Sequence, residues 1–365
     1  MPVPRKTIVI GARGSLLSLA QAEEVISFFK RKFPQYTFCL KKITTQGDKL
    51  KTWTRNAQGI FVKEIEEALL NKEIDLAIHS MKDLPVEIPS PLELKAVTKR
   101  QDPRDVLISK RKTGLFGLKK RALIGTSSLR RSAQLLHWRP DLRIKQLRGN
   151  LDTRIRKLKC DEFDAIVIAA AGILRLRRVL GKTSDLPRPS STAMFCLKEG
   201  RGLFSGLYLN YLSPRIFLPA AGQGALGIEA RQDERIIEDI TAGINDRQSF
   251  ICVTAERVFL KELGGGCRVP IGALAQIKNS HRKGKEDKRI TLEVAVISLD
   301  GKRMVRWQGQ APLDSKHLTG QAPLDSKHLT GQAEISEAEF LGKRLAREIL
   351  ERGGREILEE NKCYE

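Results

Sequence analysis

The sequence contains no long run of apolar residues. A helix that spans a membrane needs about 18 or more consecutive apolar residues, and no window of the 365-residue chain approaches that length. The first residues, MPVPRKTIVIGARG, carry only a very short apolar run, whereas a secretory signal needs an apolar core of about 7–15 residues. We therefore expect no membrane association and a cytoplasmic location.

Closely spaced cysteines are also missing. The six cysteines are scattered, and no two stand at CxxC spacing. Paired ligands at short spacing are typical of structural zinc sites, so the sequence predicts no metal site. A disulfide framework is not expected in a large chain without an export signal.

Acidic and aromatic residues are few beside the basic ones. Lys and Arg number 65 against 43 Asp and Glu, the formal net charge is +22, and aromatic residues make up 5% of the chain. This excess fits a lysine-rich solvated surface, a nucleic-acid partner, or a small substrate with several carboxylates. A single-strand nucleic-acid binder would present a basic helix or an aromatic stacking platform, and we find neither. We expect no nucleic-acid partner, and the positions of the arginines must decide between the other two interpretations.

The order of apolar segments predicts an α/β fold. The length suggests two or three domains. Short β runs that each lead into a turn occur at Thr7–Gly11, Ile74–His79, Ala122–Gly125, Arg143–Leu147 and Ala165–Ala169. Repeated strand–turn–helix units are typical of α/β domains with a mainly parallel sheet, in which ligands bind at the carboxyl ends of the strands.

The C-terminal part follows another pattern. Ile290–Leu299 and Arg303–Gln308 flank Asp300-Gly301, a strong hairpin signal. A helical stretch then runs from about Ser336 to Glu360. This order predicts a separate α+β domain.

Arginines gather at the predicted strand ends. The set comprises Arg13, Arg130, Arg131, Arg148, Arg154 and Arg175, and hydroxyl groups share the same turns at Ser15, Thr126, Ser127 and Ser128. Helix N-termini favour anions, and arginine binds carboxylates through two parallel hydrogen bonds. Gathered at one cleft, these residues would hold several carboxylates. The alternative is that they form salt bridges and helix caps.

Two further residues suggest chemistry. Asp83 is the only acid in HSMKDLP, and a carboxylate facing a cleft can stabilise a developing cation and transfer a proton; spacing alone favours an ordinary turn aspartate. Cys267 lies in LGGGCRVP, where three glycines leave the sulfur accessible and Arg268 favours the thiolate form. Composition alone leaves the role of Cys267 open.

Five long motifs occur in one order: HSMKDLP, GTSSLRR, LRGNLDTR, LPAAGQGALGIE and LGGGCRVPIGA. Together they closely resemble the porphobilinogen deaminase (hydroxymethylbilane synthase) family over nearly the whole chain. The resemblance implies two periplasmic-binding-protein-like α/β lobes with mainly parallel sheets plus a smaller C-terminal α+β domain. The implied first lobe is 1–99 with 219–243, the second is 100–218, and the C-terminal domain, 244–365, carries the cofactor cysteine.

The resemblance also implies a reaction. Family members are transferases that condense porphobilinogen units head to tail, with release of ammonia, into the linear tetrapyrrole hydroxymethylbilane. A dipyrromethane cofactor, held by a thioether to the cysteine matching Cys267, is the primer. Asp83 matches the catalytic aspartate, which stabilises the cationic azafulvene left when ammonia departs. The acetate and propionate of each pyrrole would explain the arginine-lined cleft. A monomer whose partner is its small-molecule substrate is implied.

The motifs carry over the remaining site residues. Those matching cofactor-binding positions are Lys82, Thr126, Ser127, Ser128, Arg130, Arg131 and Arg154. Those matching substrate-binding positions are Arg13, Ser15, Gln21, Arg148 and Arg175.

Three features depart from the family pattern. Gln58 stands where many members have a lysine, so one active-site charge is missing or comes from Arg55. Residues 183–214 are largely additional, and would touch the hinge or the cleft mouth, or bulge into solvent. Residues 309–330 repeat GQAPLDSKHLT without change, interpreted as a tandem duplication in a surface loop. The alternative function is a non-catalytic two-lobe binding module for a small polycarboxylate, which offers no reason for an exposed cysteine on a third domain.

Overall fold

The computed structural model describes residues 6–49, 62–179, 194–197, 203–232, 234–264, 269–282, 285–313 and 326–363. They fall into two compact units. Unit 1 comprises Met1–Leu118, Leu147–Leu212 and Gln223–Arg247, and unit 2 comprises Lys119–Gln146, Ser213–Gly222 and Gln248–Glu365. No helix within the described ranges is both long and apolar enough to cross a membrane. The three-domain division stays a prediction.

Unit 1 contains most of the α/β structure. Its strands are β1 (Thr7–Arg13), β2 (Thr37–Ile43), β3 (Leu76–Ser80), β4 (Leu92–Val97), β5 (Asp105–Ser109), β8 (Ala165–Ala169), β9 (Met194–Leu197), β10 (Leu207–Tyr211) and β11 (Leu226–Arg231). Its helices are α1 (Leu16–Lys32), α2 (Gln46–Lys49), α3 (Lys63–Leu70), α5 (Leu151–Lys159), α6 (Ala170–Val179) and α7 (Arg235–Ala242).

The first sheet has the order β2-β1-β3-β11-β4. β1 pairs in parallel with β2 and β3, whereas β11 runs antiparallel between β3 and β4. Alternation along β1 places Ile8 and Ile10 in one core with Phe29 of α1, and Val9 against a second core with Ile65 of α3. The α/β class is confirmed; the antiparallel β11 is a feature that the sequence pattern did not predict.

The additional segment 183–214 contributes strands to a sheet. β10 pairs antiparallel with β5, and β9 pairs antiparallel with β10, while β5 pairs antiparallel with β8. Leu207, Leu209 and Tyr211 of β10 are buried. The described part of the segment is therefore integrated into unit 1 through backbone pairing.

Two chain segments run side by side where the resemblance implies a crossing between lobes. The Arg100 Nε–H donates to the Gln223 carbonyl at 2.8 Å, and the Gln223 Nε2 donates to the Pro103 carbonyl at 2.7 Å. The backbone N–H of Gln101 donates to the Gly224 carbonyl at 3.2 Å. Both backbone and side-chain bonds therefore link the two segments.

Unit 2 contains β6 (Leu123–Gly125), β7 (Arg143–Lys145), β12 (Ile271–Arg282), β13 (Lys285–Ile297) and β14 (Met304–Pro312), with helices α4 (Leu129–Trp138), α8 (Arg247–Glu262), α9 (Ser326–Ile349) and α10 (Arg355–Cys363). β6 and β7 are parallel. β12, β13 and β14 form an antiparallel sheet whose core includes Phe259 of α8 and Leu341 and Leu345 of α9. The predicted hairpin at Asp300-Gly301 is confirmed, with Gly301 at φ +75°.

The C-terminal helical stretch is longer than predicted and is interrupted. A π-helical turn, Leu350–Gly354, separates α9 from α10, and Gly353 has φ +98°. The repeated 11-mer does not form one loop: Gly309–Pro312 of its first copy lie in β14, and Ser326–Thr330 of its second copy lie in α9. Apart from Leu313, the rest of the repeat lies outside the described residues.

Candidate active site

A short turn presents Asp83 at the end of β3. The backbone N–H of Met81 donates to the Ala225 carbonyl at 3.1 Å, and that of Asp83 donates to the Ser80 carbonyl at 2.9 Å. The Met81 side chain is 1% exposed and fills the space beside Gly227, where an added Cβ would lie 2.3 Å from its sulfur. Met81 therefore anchors the turn through its backbone and its buried side chain, while Asp83 itself is exposed.

The ends of β1 and β3 lie at one edge of the first sheet. The parallel register pairs Gly11 with Ala77, which brings Arg13, at the end of β1, level with the end of β3. Carboxyl ends of parallel strands are the usual ligand-binding edge. Arg13 is half-buried there, and Lys82 and Asp83 follow from β3. The structure thus brings Arg13, Lys82 and Asp83 to the same edge.

Ser15 caps helix α1, and Gln21 supports the turn that follows β3. Ser15 is the N-cap of α1, and its hydroxyl oxygen accepts from the Ser18 N–H at 3.2 Å. Gln21 is buried, and its Nε2 donates to the Ser80 hydroxyl at 3.0 Å. Gln21 therefore supports the turn that carries Asp83, a role that spacing did not reveal.

The predicted hydroxyl–arginine turn forms at the start of α4. Ser128 is the N-cap, its Oγ accepts from the Arg131 N–H at 3.5 Å, and its own N–H donates to the Thr126 hydroxyl at 3.2 Å. The guanidinium groups of Arg130 and Arg131 are largely buried. The first turn of α4 contains no acidic residue.

This donor set fits a group with carboxylates. Thr126–Arg131 supplies three hydroxyls and two guanidinium groups at a helix N-terminus, where the dipole and exposed N–H groups favour negative charge. Part of Arg130 is already committed, because its Nη1 donates to the Leu218 carbonyl at 2.6 Å. Arg130, Arg131 and the three hydroxyls are all candidates for contact with those carboxylates.

Sequence reasoning missed two residues that fix the LPAAGQG segment. Gln134 of α4 bonds both backbone groups of Leu218. Glu256 of α8, which has no exposed surface, accepts from the Gly222 N–H at 2.6 Å and from the Ala275 N–H at 2.7 Å. A polar residue inside an apolar helical pattern was the available signal for each.

Arg148 precedes α5, and Arg154 lies in its first turns. Arg148 is half-buried between β7 and α5. Arg154 lies within α5, and its Nε donates to the Gly149 carbonyl at 2.8 Å. Gly149 has φ +105°, a conformation that glycine adopts readily.

Arg175 is held by an ion pair within unit 1. Its guanidinium is 4% exposed and lies 3.1 Å from Glu24 of α1, while its Nη2 donates to the Gly224 carbonyl at 3.1 Å. Burial lowers the pKa of Arg175, and the Glu24 charge opposes that shift. Arg178 contacts the same carboxylate at 3.3 Å. For Arg175 the structure therefore contains the salt bridge that was the alternative to substrate binding.

A buried histidine–carboxylate pair lies at the end of β3. His79 Nε2 and Glu229 Oε2 are 2.9 Å apart, and their side chains are 4% and 0% exposed. The pKa of Glu66, on α3, is raised to about 7. Desolvation is the main cause, the negative charge of Glu229 adds to it, and His79 opposes it. The sequence signal was a glutamate inside the apolar run ALGIEA.

Four residues with a predicted role lie outside the described residues. Cys267 and Arg268 fall in the gap 265–268, between the end of α8 and the start of β12, and Arg55 and Gln58 fall in the gap 50–61. Gly264, at the edge of the first gap, has φ +62°.

The chain matches two protein-family models. Residues 8–239 match the model for porphobilinogen deaminase, dipyromethane cofactor binding domain, and residues 250–351 match that for the porphobilinogen deaminase C-terminal domain. The porphobilinogen deaminase of Alkaliphilus metalliredigens is 40% identical over 357 residues, which are 97% of this chain and 95% of that protein. The porphobilinogen deaminase of Thermus thermophilus is 39% identical over 353 residues, which are 97% and 98% of the two chains.

Among solved structures, the periplasmic aliphatic sulphonate binding protein of Escherichia coli is similar at 11% identity and a TM-score of 0.35, over 71% of this chain and 70% of that one. At so low a TM-score this likeness says nothing about function.

Proposed function

Because the chain belongs to the porphobilinogen deaminase family, we propose that Asp83 is its catalytic carboxylate and that Cys267 carries its dipyrromethane cofactor. The protein is a transferase of porphyrin and heme biosynthesis. It condenses porphobilinogen units head to tail, with release of ammonia, into hydroxymethylbilane. The observation that carries the assignment of Asp83 is its exposed position on a turn that backbone bonds and the buried Met81 side chain hold in place.

The cofactor supplies a pyrrole primer that accepts the incoming units. Its acidic side chains would be held by Arg131, Ser128 and their neighbours at the start of α4, with Lys82 and Arg154 in the same role. This proposal is supported by the absence of acids from the first turn of α4 and by the strength of charge-assisted hydrogen bonds between guanidinium and carboxylate.

Asp83 has two tasks in this proposal. As an acid it protonates the amine that leaves porphobilinogen, and as a carboxylate it stabilises the substrate cation that remains. After the new carbon–carbon bond forms, it accepts the proton lost from the pyrrole carbon.

The substrate carboxylates require cationic partners, which we assign to Arg13, Arg148 and Arg175, with the Ser15 hydroxyl beside Arg13. Arg175 enters this set only if a substrate carboxylate takes the place of Glu24. Gln21 acts indirectly, since its amide donates to Ser80 at the root of the catalytic turn.

We also propose a cytoplasmic monomer that binds no nucleic acid and folds as three domains. A thiol that must form a thioether is best kept in a reducing compartment, and Cys39, Cys160 and Cys252 are free thiols. Light scattering on the purified protein tests the monomer. Tight DNA binding at physiological salt with a steep salt dependence would overturn the exclusion of nucleic acid.

Intact mass spectrometry tests the cofactor proposal. We expect the wild-type protein to carry an adduct of dipyrromethane mass, and Cys267→Ala to lack it. Cys160→Ala, which removes an exposed thiol on α5's C-terminal side, is the matched control and should retain the adduct. An adduct that persists in Cys267→Ala would place the anchor elsewhere, and a wild type without adduct even after incubation with porphobilinogen would refute the cofactor proposal for this chain.

A further inference from the structure

His79 and Glu229 form a buried pair across two neighbouring strands. β3 and β11 are antiparallel, and their register sets His79 opposite Gly227 and Ala77 opposite Glu229. The 2.9 Å contact between His79 Nε2 and Glu229 Oε2 therefore runs diagonally across the strand pair. The contact lies on the sheet face that α3 covers, since Ala77 packs with Ile65 and Ala68 of that helix.

A buried pair of ionisable groups contributes little net stability to two paired strands. Burying two ionisable groups carries a desolvation penalty that their mutual attraction often fails to exceed. The second carboxylate oxygen of Glu229, Oε1, has no hydrogen-bond partner among the described atoms. An apolar pair would pack here at lower cost, so stability alone does not explain these residues.

The position of the pair suggests what it does. β3 passes into the Ser80–Asp83 turn directly after His79, and β11 begins directly after the loop that ends at Ala225. The bond from the Met81 N–H to the Ala225 carbonyl joins these two segments. A fixed distance between His79 and Glu229 therefore fixes the strand register at the point from which the catalytic turn projects.

We propose that His79 and Glu229 are positioning residues for Asp83, which they hold in register with the loop that ends at Ala225. This inference rests on the catalytic role proposed for Asp83. It requires no contact between the pair and the substrate. A small displacement of a reacting group can cost about a hundredfold in rate, so a shift of the turn is expected to lower kcat.

Charged residues on the same face of the sheet surround the pair. Glu66 faces it from α3. Strand alternation places Arg231 of β11 and Arg13 of β1 on the same face of the sheet, and Arg231 bonds the Leu69 and Ile74 carbonyls. Arg13 also belongs to the proposed substrate site, so the pair lies directly behind the ligand-binding edge.

The test uses the cofactor-loaded enzyme and compares Glu229→Ala and His79→Ala with wild type. We expect kcat to fall by about tenfold to a hundredfold, with KM within about twofold and the cofactor adduct unchanged. His79→Gln, whose amide can still donate to Glu229, should restore kcat to within about threefold of wild type. Ile228→Val, which trims a buried residue on the opposite face of β11, is the control for general loosening of the sheet and should keep wild-type kcat.

Three outcomes would overturn the inference: wild-type kcat in Glu229→Ala, an equal loss of kcat in Ile228→Val, or no rescue by His79→Gln. If Glu229→Ala does not fold, the loss of kcat is judged on His79→Ala, and wild-type kcat in that variant overturns the inference. Asp83→Asn is measured in the same series. An active Asp83→Asn refutes the proposed catalytic role itself, whereas an inactive Asp83→Asn beside a fully active Glu229→Ala refutes only the positioning role.

Discussion

Gln134 bonds the backbone of Leu218 on both sides. Its Oε1 accepts from the Leu218 N–H at 2.7 Å, and its Nε2 donates to the Leu218 carbonyl at 3.0 Å. Leu218 begins the LPAAGQG motif and is completely buried. A helix that presents the arginines Arg130 and Arg131 therefore also determines the path of this motif.

Replacing Gln134 by alanine should destabilise the protein by about 1–3 kcal/mol, because a buried backbone N–H would lose its partner. The Leu218 carbonyl would keep its bond from Arg130. Urea unfolding measures the change. Gln276→Ala, at an exposed position of β12, should alter the unfolding free energy by less than about 0.5 kcal/mol. If Gln134→Ala leaves the free energy of unfolding unchanged, the bonds to Leu218 make no net contribution to stability.

Replacing Asp83 by asparagine should lower kcat by about 10²–10⁴-fold, since the amide can neither transfer the proton nor balance the substrate cation. Asp83 is exposed, so the unfolding free energy should stay within about 0.5 kcal/mol of wild type. Steady-state kinetics with porphobilinogen measures the loss. Glu87→Gln, which removes an exposed acid a few residues later, should remain active; equal losses in both variants would argue for a general charge effect.

Replacing Glu66 by glutamine should stabilise the protein at alkaline pH. The pKa of Glu66 is raised from 4.5 to about 7, first by desolvation and then by Glu229. The folded state therefore holds a proton that the unfolded state releases, and stability from this group falls as pH rises from about 4.5 to about 7. Because Glu66 is only half-buried, we expect a gain of about 1 kcal/mol at pH 8 and little change at pH 5.

Thermal unfolding at the two pH values measures this difference. The groups that face Glu66 are His79, Glu229 and, on the same sheet face, Arg231 and Arg13. Glu67→Gln, on the exposed side of α3, is the control and should show no comparable pH dependence. A Glu66→Gln variant that is equally stable at pH 5 and pH 8 would contradict a raised pKa.

Replacing Gly224 by alanine should cost more than the same change at Gly206. Both glycines have positive φ, +100° and +73°, so both substitutions carry backbone strain of about 1–2 kcal/mol. At Gly224 the new Cβ would also lie 2.5 Å from the Gln101 carbonyl oxygen, whereas at Gly206 no described atom lies within 4 Å. Chemical denaturation should separate the two by at least about 1 kcal/mol. Equal losses would show that the chain relaxes around Gly224.

Local signals were sufficient for part of the molecule. Ser15 and Ser128 were recognisable as residues preceding helices, and both are N-caps in the structure. The hairpin at Asp300-Gly301 followed from its turn residues. In each case the determining interactions lie within a few residues along the chain.

Distant partners could not be predicted from the sequence. His79 and Glu229 are 150 residues apart, and Glu24 and Arg175 are 151 apart. Periodicity describes which face of a strand is buried, but it does not say which strand lies beside it. The antiparallel placement of β11 and the ion pair at Arg175 were therefore not predictable.

The repeated 11-mer was predicted to lie in a surface loop, yet both of its described ends lie in regular elements. Its first residues form the end of strand β14 in one copy, and its last residues form the start of α9 in the other. Similarly, one glycine, Gly353, divides a helical pattern that looked continuous.

The strand β11 occupies the interior of the first sheet, yet it is the last of the five strands to be synthesised. Until the ribosome has passed Arg231, the edges of β3 and β4 that it joins remain unpaired, and such edges invite aggregation. Contacts between remote segments also slow folding. A nascent chain of this enzyme must therefore wait for an interior strand, and any split or truncated form that ends before Leu226 lacks the strand that completes the sheet.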